Sequence, residues 1–356
     1  FGKVFVINLP SRTDHHDAML LTAALSDIQL DWIDGVRGEA VSDKVLFAGV
    51  NRTKLGNGNI GSWRWMFVEN LTRFFFLSRV VQQNLSSALI FEDDIDWDVR
   101  IKSQMRNVAM STRALIQPLS SNPSRYADRT YPNAIGDRTV PPDMYIDKLP
   151  STIPPNTSPY GDGWDILWLG HRGAHFPNMG HQQERAEASR IPKGRVVHLN
   201  DPTVPEDQYH DFWKDEGVPS KYPQHTRTVH HIMGGICSFA YAVSQAGARS
   251  LLHDASTTFK DPFDAILMKA CSGLKPYKYL NCLTVRPPLF SHHRPAGRRD
   301  ADSEITMSEN RPGTRKKGMT HWVRWSVRLN IEKLLRGRTD FDDQYPDVST
   351  ESATYS

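Results

Sequence analysis

Ala88-Leu89-Ile90-Phe91-Glu92-Asp93-Asp94 is an apolar run that stops abruptly in three acids. Such a run reads as a buried strand, so the acids stand at its carboxyl end. Adjacent carboxylates repel one another, and burial strips their hydration, so the cluster needs a compensating charge. A hard divalent cation supplies one: Mg2+ or Mn2+ takes one or two carboxylates and completes its shell with phosphate and water. In open α/β sheets, ligands collect beyond the carboxyl ends of the strands, where this run delivers its acids. We read Asp94 as the direct ligand, Glu92 as acting through a metal-bound water and Asp93 as facing a ribose, because these lie nearest the strand end. Asp96 and Asp98 continue a D-x-D spacing, but for them the plainer reading is capping of the helix that leads to Met105.

Upstream, Val4-Phe5-Val6-Ile7-Asn8-Leu9 is a strand stopped by Pro10, and Asp14 to Leu25 fits a helix with Met19, Leu20, Ala23 and Ala24 at helical spacing. Leu30-Asp31-Trp32-Ile33 follows as a strand before Gly35. This is β-α-β, the opening of a nucleotide-binding sheet. The loop Gly56-Asn57-Gly58-Asn59-Ile60-Gly61 lacks the Gly-Lys-Ser/Thr ending of a phosphate cradle and reads as a turn into the helical stretch Trp63 to Gln83.

Downstream, strands are expected at Trp164 to Gly170, Cys237 to Val243 and Cys282 to Val285, and helices at Gln245 to His253 and from Asp261 to Met268, with Pro262 in the first turn. The whole reads as a single α/β domain over 1–335. It carries polar, loop-rich insertions at 118–163 and 172–231, followed by a tail over 336–356. From Asp340 onward the tail looks disordered apart from docking by Tyr345.

A chain of 356 residues with 39% hydrophobic residues can fill a sizeable core. Its formal charge of +3 leaves no global field to recruit nucleic acid or an anionic membrane. Basic residues do gather late, at Arg294, Arg298, Arg299, Arg311, Arg315, Lys316 and Lys317, as a solvated face or an aid to anion retention. No apolar run reaches the roughly 18 residues of a membrane helix. Sequons at Asn51, Asn70, Asn84 and Asn156 are compatible with a secretory route. Cys237, Cys271 and Cys282 contain no CxxC, which excludes a zinc ribbon and leaves at most one intrachain disulfide.

Several motifs together resemble glycosyltransferase family 25. They are Phe5-Val6-Ile7-Asn8-Leu9 with Arg12, Ser87 to Asp94, and Asp165-Ile166-Leu167-Trp168-Leu169-Gly170-His171. The family includes lipooligosaccharide and collagen galactosyltransferases. Its fungal branch is similar also through Tyr222-Pro223-Gln224-His225-Thr226-Arg227, Phe239 to Ser244 and Leu289-Phe290-Ser291-His292-His293-Arg294-Pro295. The resemblance implies a GT-A type, Rossmann-like nucleotide-binding sheet flanked by helices. It implies a UDP-sugar donor, often UDP-galactose, with Mn2+ or Mg2+, and inversion at the anomeric carbon. A glycan or glycoprotein acceptor is expected, in the Golgi or ER lumen, with membrane attachment only through a type II anchor outside this chain. Arg172 stands where the family leads one to expect cysteine, which would leave Cys237 without its family partner.

An inverting transfer needs a base for the acceptor hydroxyl, and Asp264, in the family's Phe-Asp motif, is the candidate; N-terminal charge compensation of a helix is the plainer alternative. His292 and His293 are candidate metal ligands through a neutral imidazole nitrogen, with Arg294 beside them toward the diphosphate. Asn8 and Arg12, just past the first strand, are candidates for uracil, ribose or phosphate, against ordinary turn and capping roles. Trp164 and Trp168 are explained by core packing. Two other readings use the same residues: a metal-dependent sugar-nucleotide hydrolase or nucleotidyltransferase, and a non-catalytic glycan-binding protein that keeps the fold.

Overall fold

The structure is a computed structural model that describes residues 1–35, 74–132, 134, 140–177, 190–210, 222–258, 261–298 and 313–348. The glycine-rich loop at 56–61, the first part of the helical stretch from Trp63, the sequons at Asn51 and Asn70, Arg299, Arg311 and the last eight residues lie outside the described residues.

Strand β1 (Lys3–Asn8), helix α1 (Thr13–Leu25) and strand β2 (Asp31–Asp34) form the expected β-α-β unit, with β1 and β2 parallel. Helix α1 turns Met19, Thr22 and Ala23 inward, one face at helical spacing. Helix α2, over residues 74–82, leads to β3 (Ser87–Glu92), which lies parallel on the other side of β1 with Ile7 opposite Glu92. The order of strands therefore reverses at β1, the kind of position where a doubly wound sheet opens a crevice.

The chain continues through β4 (Ile95–Trp97), α3 (Ile101–Ile116), the small hairpin of β5 (Pro118–Leu119) and β6 (Asn122–Tyr126), and β7 (Met144–Tyr145). Then come β8 (Ile166–His175), β9 (Arg195–His198), β10 (Arg227–His231), β11 (Met233–Ser244), α4 (Gln245–Thr258) and α5 (Phe263–Cys271). Last are β12 (Cys282–Arg286), β13 (Phe290–Arg294), β14 (Gly297–Arg298), β15 (Thr314–Arg315), β16 (Met319–Thr320) and α6 (Ile331–Leu335).

Nine strands form the central sheet in the order β2-β1-β3-β11-β8-β12-β10-β9-β7. Every one of them except β10 and β11 runs the same way. The pleat sorts side chains between two cores. Leu89, Phe91, Leu167, Leu169, Ala240 and Ala242 face one core, with Met19 of α1 and Ile101, Val108 and Leu115 of α3. Ala88, Ile90, Ile166, Trp168, Tyr241 and Val243 face the other, with residues of α2, α4 and α5. The protein is thus α/β, with helices on both faces of a mixed sheet. Trp164 and Trp168 belong to the core as expected, and the Trp168 indole donates to the Cys237 carbonyl at 3.0 Å.

The insertions are less loop-like than the sequence suggests. The 118–163 stretch supplies β7, and 172–231 supplies β9, β10 and the end of β8, all in the central sheet. Their hydropathy misleads because their polar groups are buried in pairs. Arg227 bonds Asp201 at 2.6 Å and Thr203 at 2.9 Å, and Arg195 bonds Asp143 at 2.7 Å, all nearly sealed from solvent.

The tail is corrected as well. Asp340 to Val348 lie against the body, with Asp343 on Arg324 at 2.6 Å and the Gln344 amide nitrogen on the Arg324 carbonyl at 3.0 Å. Tyr345 docks as expected, its hydroxyl donating to the Thr320 carbonyl at 3.3 Å. Polar anchoring of this kind leaves no hydrophobic period to read. Among the cysteines, Cys271 and Cys282 form a disulfide that ties the end of α5 to the start of β12, and Cys237 stands outside it. Ile236 lies opposite Arg172 in the β8–β11 pairing, so the departure at 172 falls beside Cys237.

Candidate metal site

The site begins where β3 ends. Glu92 is the last residue of the strand, Asp93 and Asp94 form a turn, and the chain leaves the central sheet as β4. Strand β13 pairs antiparallel with β4, Phe290 opposite Trp97 and His292 opposite Ile95, and the His293 amide nitrogen donates to the Asp94 carbonyl at 2.8 Å. That register carries His292 and Arg294 back to the acids across some two hundred residues of sequence.

Glu92, Asp94 and His292 each offer a ligand atom, and these atoms all lie within 4.8 Å of one another. His292 Nε2 is 3.1 Å from Glu92 Oε2 and 3.5 Å from Asp94 Oδ1. Arg294 donates to Asp94 Oδ2 at 2.9 Å and to His292 Nδ1 at 2.9 Å. The Phe239 ring packs on the His292 ring with centroids 3.9 Å apart, fixing its plane. All four polar side chains are partly buried, so their charges interact more strongly than in open water. Two carboxylates and an imidazole form a donor set for a divalent cation, and the imidazole favours Mn2+ over Mg2+. Glu92 stands as close to the ligand group as Asp94, so it fits direct ligation rather than contact through water.

His293 faces the other way, as a period of two requires of a strand neighbour. Its Nδ1 lies 2.9 Å from Thr320 Oγ1, and Thr320 in turn donates to Asp96 Oδ2 at 2.7 Å. Burial pushes the His293 imidazole down to about 4, with Asp96 pulling the opposite way, so it is neutral at physiological pH. It braces the wall behind the ligand group and lies outside it.

Asp96 is buried rather than helix-capping. It accepts the Trp97 amide at 2.8 Å, the Thr320 hydroxyl and the Ser326 hydroxyl. Asp98 does not cap α3, whose N-cap is Arg100 with no side-chain cap bond; it accepts the Arg100 amide at 2.8 Å in the turn ahead of the helix, and burial raises it to about 6.

Asp93 turns toward β1. Its Oδ2 accepts Asn8 Nδ2 at 2.7 Å, and His15 Nδ1 lies 3.0 Å from Oδ1. Asn8 also donates to the Arg12 carbonyl at 3.2 Å. The Arg12 guanidinium grips Asp14 at 2.8 and 2.9 Å and touches His15 Nε2. That grip, first through the Arg12 hydrogen bond, holds the Asp14 carboxyl down at about 2. Asn8, Arg12 and Asp93 thus form one polar patch beside the ligand group. Arg328 closes it from below, donating to the Asp93 carbonyl at 3.0 Å. Burial lowers Arg328 from its ordinary value while Asp96, Asp94 and Asp93 pull it back up.

Asp264 sits in the first turn of α5. Its Oδ2 accepts the Cys237 amide at 2.9 Å and its Oδ1 the Ala265 amide at 2.8 Å. It therefore pins a glycine-rich part of β11, where Gly234, Gly235 and Cys237 all have positive φ, two residues before Phe239. The sequence reading missed His15, Arg328 and Thr320. His15 carried a faint signal, since it follows Arg12 and Asp14 at the entry to α1, whereas Arg328 and Thr320 carried none.

No protein-family model matches the chain, and no curated protein sequence matches it.

Proposed function

We propose that the chain is a metal-assisted, inverting glycosyltransferase of the GT-A type, as its resemblance to glycosyltransferase family 25 implies. It moves a sugar, galactose by that resemblance, from a UDP-sugar to a hydroxyl of a glycan or glycoprotein. The observation that carries this reading is the convergence of Glu92, Asp94 and His292 beyond β3, at the reversal of strand order. A divalent cation there, Mn2+ or Mg2+, supplies Lewis acidity that stabilises the departing diphosphate.

The protein's own groups then have distinct tasks. Asp94, Glu92 and His292 hold the cation, and Arg294 turns its guanidinium from Asp94 and His292 toward the diphosphate, where bidentate donors match phosphate oxygens. Asp93, with Asn8 and Arg12, receives the nucleoside: its carboxylate is an acceptor for ribose hydroxyls. Asp264 takes the proton of the acceptor hydroxyl as that oxygen bonds to the anomeric carbon and the bond to UDP breaks. The disulfide between Cys271 and Cys282 agrees with passage through an oxidising lumen, with any anchor outside this chain.

Calorimetric titration of the full chain with UDP, with and without Mn2+, tests the reading. Manganese-dependent binding that disappears in Asp94→Asn, in a protein of unchanged fold, is expected; full activity in that variant would sink the metal role. Release of UDP with a new glycoside marks transfer, whereas sugar phosphate plus UMP marks a hydrolase or nucleotidyltransferase. Absence of UDP binding in either condition, with glycan binding retained, favours a non-catalytic protein.

A further inference from the structure

A second convergence of ligand atoms lies away from the donor site, where the tail meets the loop that follows β9. Glu206, His225 and Asp347 each place a ligand atom within 4.8 Å of the other two. The imidazole is oriented for ligation. His225 Nδ1 lies 2.7 Å from the Val204 carbonyl oxygen, which can only accept, so Nδ1 carries the proton and Nε2 presents its lone pair. That lone pair faces the cluster, with Nε2 3.6 Å from Asp347 Oδ1. A backbone carbonyl on the far ring nitrogen is the arrangement that fixes tautomer and ring plane in metal-bound histidines.

Both carboxylates are held from outside as well. Glu206 Oε2 accepts Gln208 Nε2 at 2.6 Å and the Val348 amide at 3.2 Å. Asp347 Oδ1 accepts Arg324, 3.0 Å away, and that guanidinium is already committed to Asp343 at 2.6 Å. Each carboxylate keeps lone pairs for a further partner, because an ionised carboxyl offers about four acceptor sites.

The segment itself gives the cation a role. Residues 340–348 bury little apolar surface, with Val348 still 53% exposed, and are held by polar contacts such as Tyr209 to the Pro346 carbonyl at 3.0 Å. Ordering a stretch of chain costs conformational entropy, which exposed polar contacts offset only weakly.

We propose that Glu206, His225 and Asp347 form a zinc site that clasps the C-terminal segment to the loop after β9. One imidazole and two carboxylates are N and O donors that zinc accepts, with water completing an open shell rather than the closed four-ligand shell of a zinc ribbon. The clasp holds Gln344 and Tyr345 on the backbone of Thr320, whose hydroxyl bonds Asp96 behind the donor site. The proposal stands whether or not the chain transfers sugar.

The test uses the full chain, stripped with chelator and carrying Glu92→Gln and His292→Gln to silence the other ligand group. Calorimetric titration with zinc is expected to show one equivalent bound, and His225→Gln to weaken it by about 100-fold or more, the upper end of what losing a mere outer partner causes. Cleavage by a protease after Gly337 is expected to slow when zinc is added. Absence of zinc uptake, or uptake indifferent to His225→Gln, overturns the site. Should the silenced chain fail to fold, the otherwise unaltered chain gives the same answer: His225→Gln must lower the zinc stoichiometry by one, and an unchanged stoichiometry refutes the proposal.

Discussion

Arg294 donates into Nδ1 of His292 across 2.9 Å, so the neutral imidazole carries its proton on Nε2, facing Glu92 at 3.1 Å. A cation at the Glu92–Asp94–His292 group needs the Nε2 lone pair instead. The proton must move and Arg294 must release Nδ1, and a diphosphate gives the guanidinium another acceptor. Cation and nucleotide are therefore expected to bind cooperatively: UDP should tighten Mn2+ by about tenfold or more, within the range typical of coupled sites. In Arg294→Met the imidazole is released beforehand, and titrations in both orders should show the coupling largely gone.

Asp264 has an observed role, as a hydrogen-bond acceptor for β11, and a proposed one, as the base, that one substitution can separate. Asn retains one carbonyl oxygen for the Cys237 amide, 2.9 Å away, but loses the acceptor for the Ala265 amide and the basic carboxylate. Asp264→Asn is expected to lower kcat for transfer by about 10²–10⁴-fold with UDP affinity nearly unchanged and only a small drop in the thermal midpoint. A thermal midpoint that falls along with activity would instead mark Asp264 as an anchor of β11.

Acid should unfold the protein through its buried histidines. Burial lowers His171 to about 3 and His231 to about 4, against 6.5 in an unfolded chain. Between those values the unfolded chain binds protons that the folded one refuses, so stability is fully present above pH 6.5 and falls as the pH drops toward 4. The loss by pH 5 is about 2 kcal/mol for each histidine. Asp98, raised to about 6 by burial, works the other way and returns about 1 kcal/mol over the same span. Urea midpoints measured at pH 7, 6 and 5 should decline in that order, and replacing His171 with Gln should flatten the decline.

The disulfide between Cys271 and Cys282 closes a loop spanning 11 positions. In the chain-entropy account, opening it costs about 3 kcal/mol. Cys271→Ala with Cys282→Ala is expected to lower the thermal midpoint by several degrees, and reductant should have the same effect on the unaltered protein and none on the variant.

Most of the sheet was legible because its strands are apolar: β1, β3, β8, β11 and β12 all appear where hydrophobic runs lie, and α1 appears where apolar residues recur at helical spacing. The acids were legible for a related reason, since an apolar run ending in Glu92-Asp93-Asp94 has few structural excuses. Strands β9 and β10 were not legible, because Arg195, Arg227 and His230 look like surface residues until Asp143 and Asp201 are brought beside them. The choice between His292 and His293 hung on the register of β13 against β4. A shift of one residue would exchange them, and no local signal in the sequence fixes it.

The bond between Cys271 and Cys282 has a further consequence. Cys271 closes the helix that opens with Asp264, and Cys282 opens the strand that feeds the chain toward His292. The proposed base and the proposed cation ligand thus hang from the two ends of one covalent clasp. Strand pairing and the Asp264 contact with the Cys237 amide already set that spacing, so oxidation of the two thiols stiffens a geometry that folding builds.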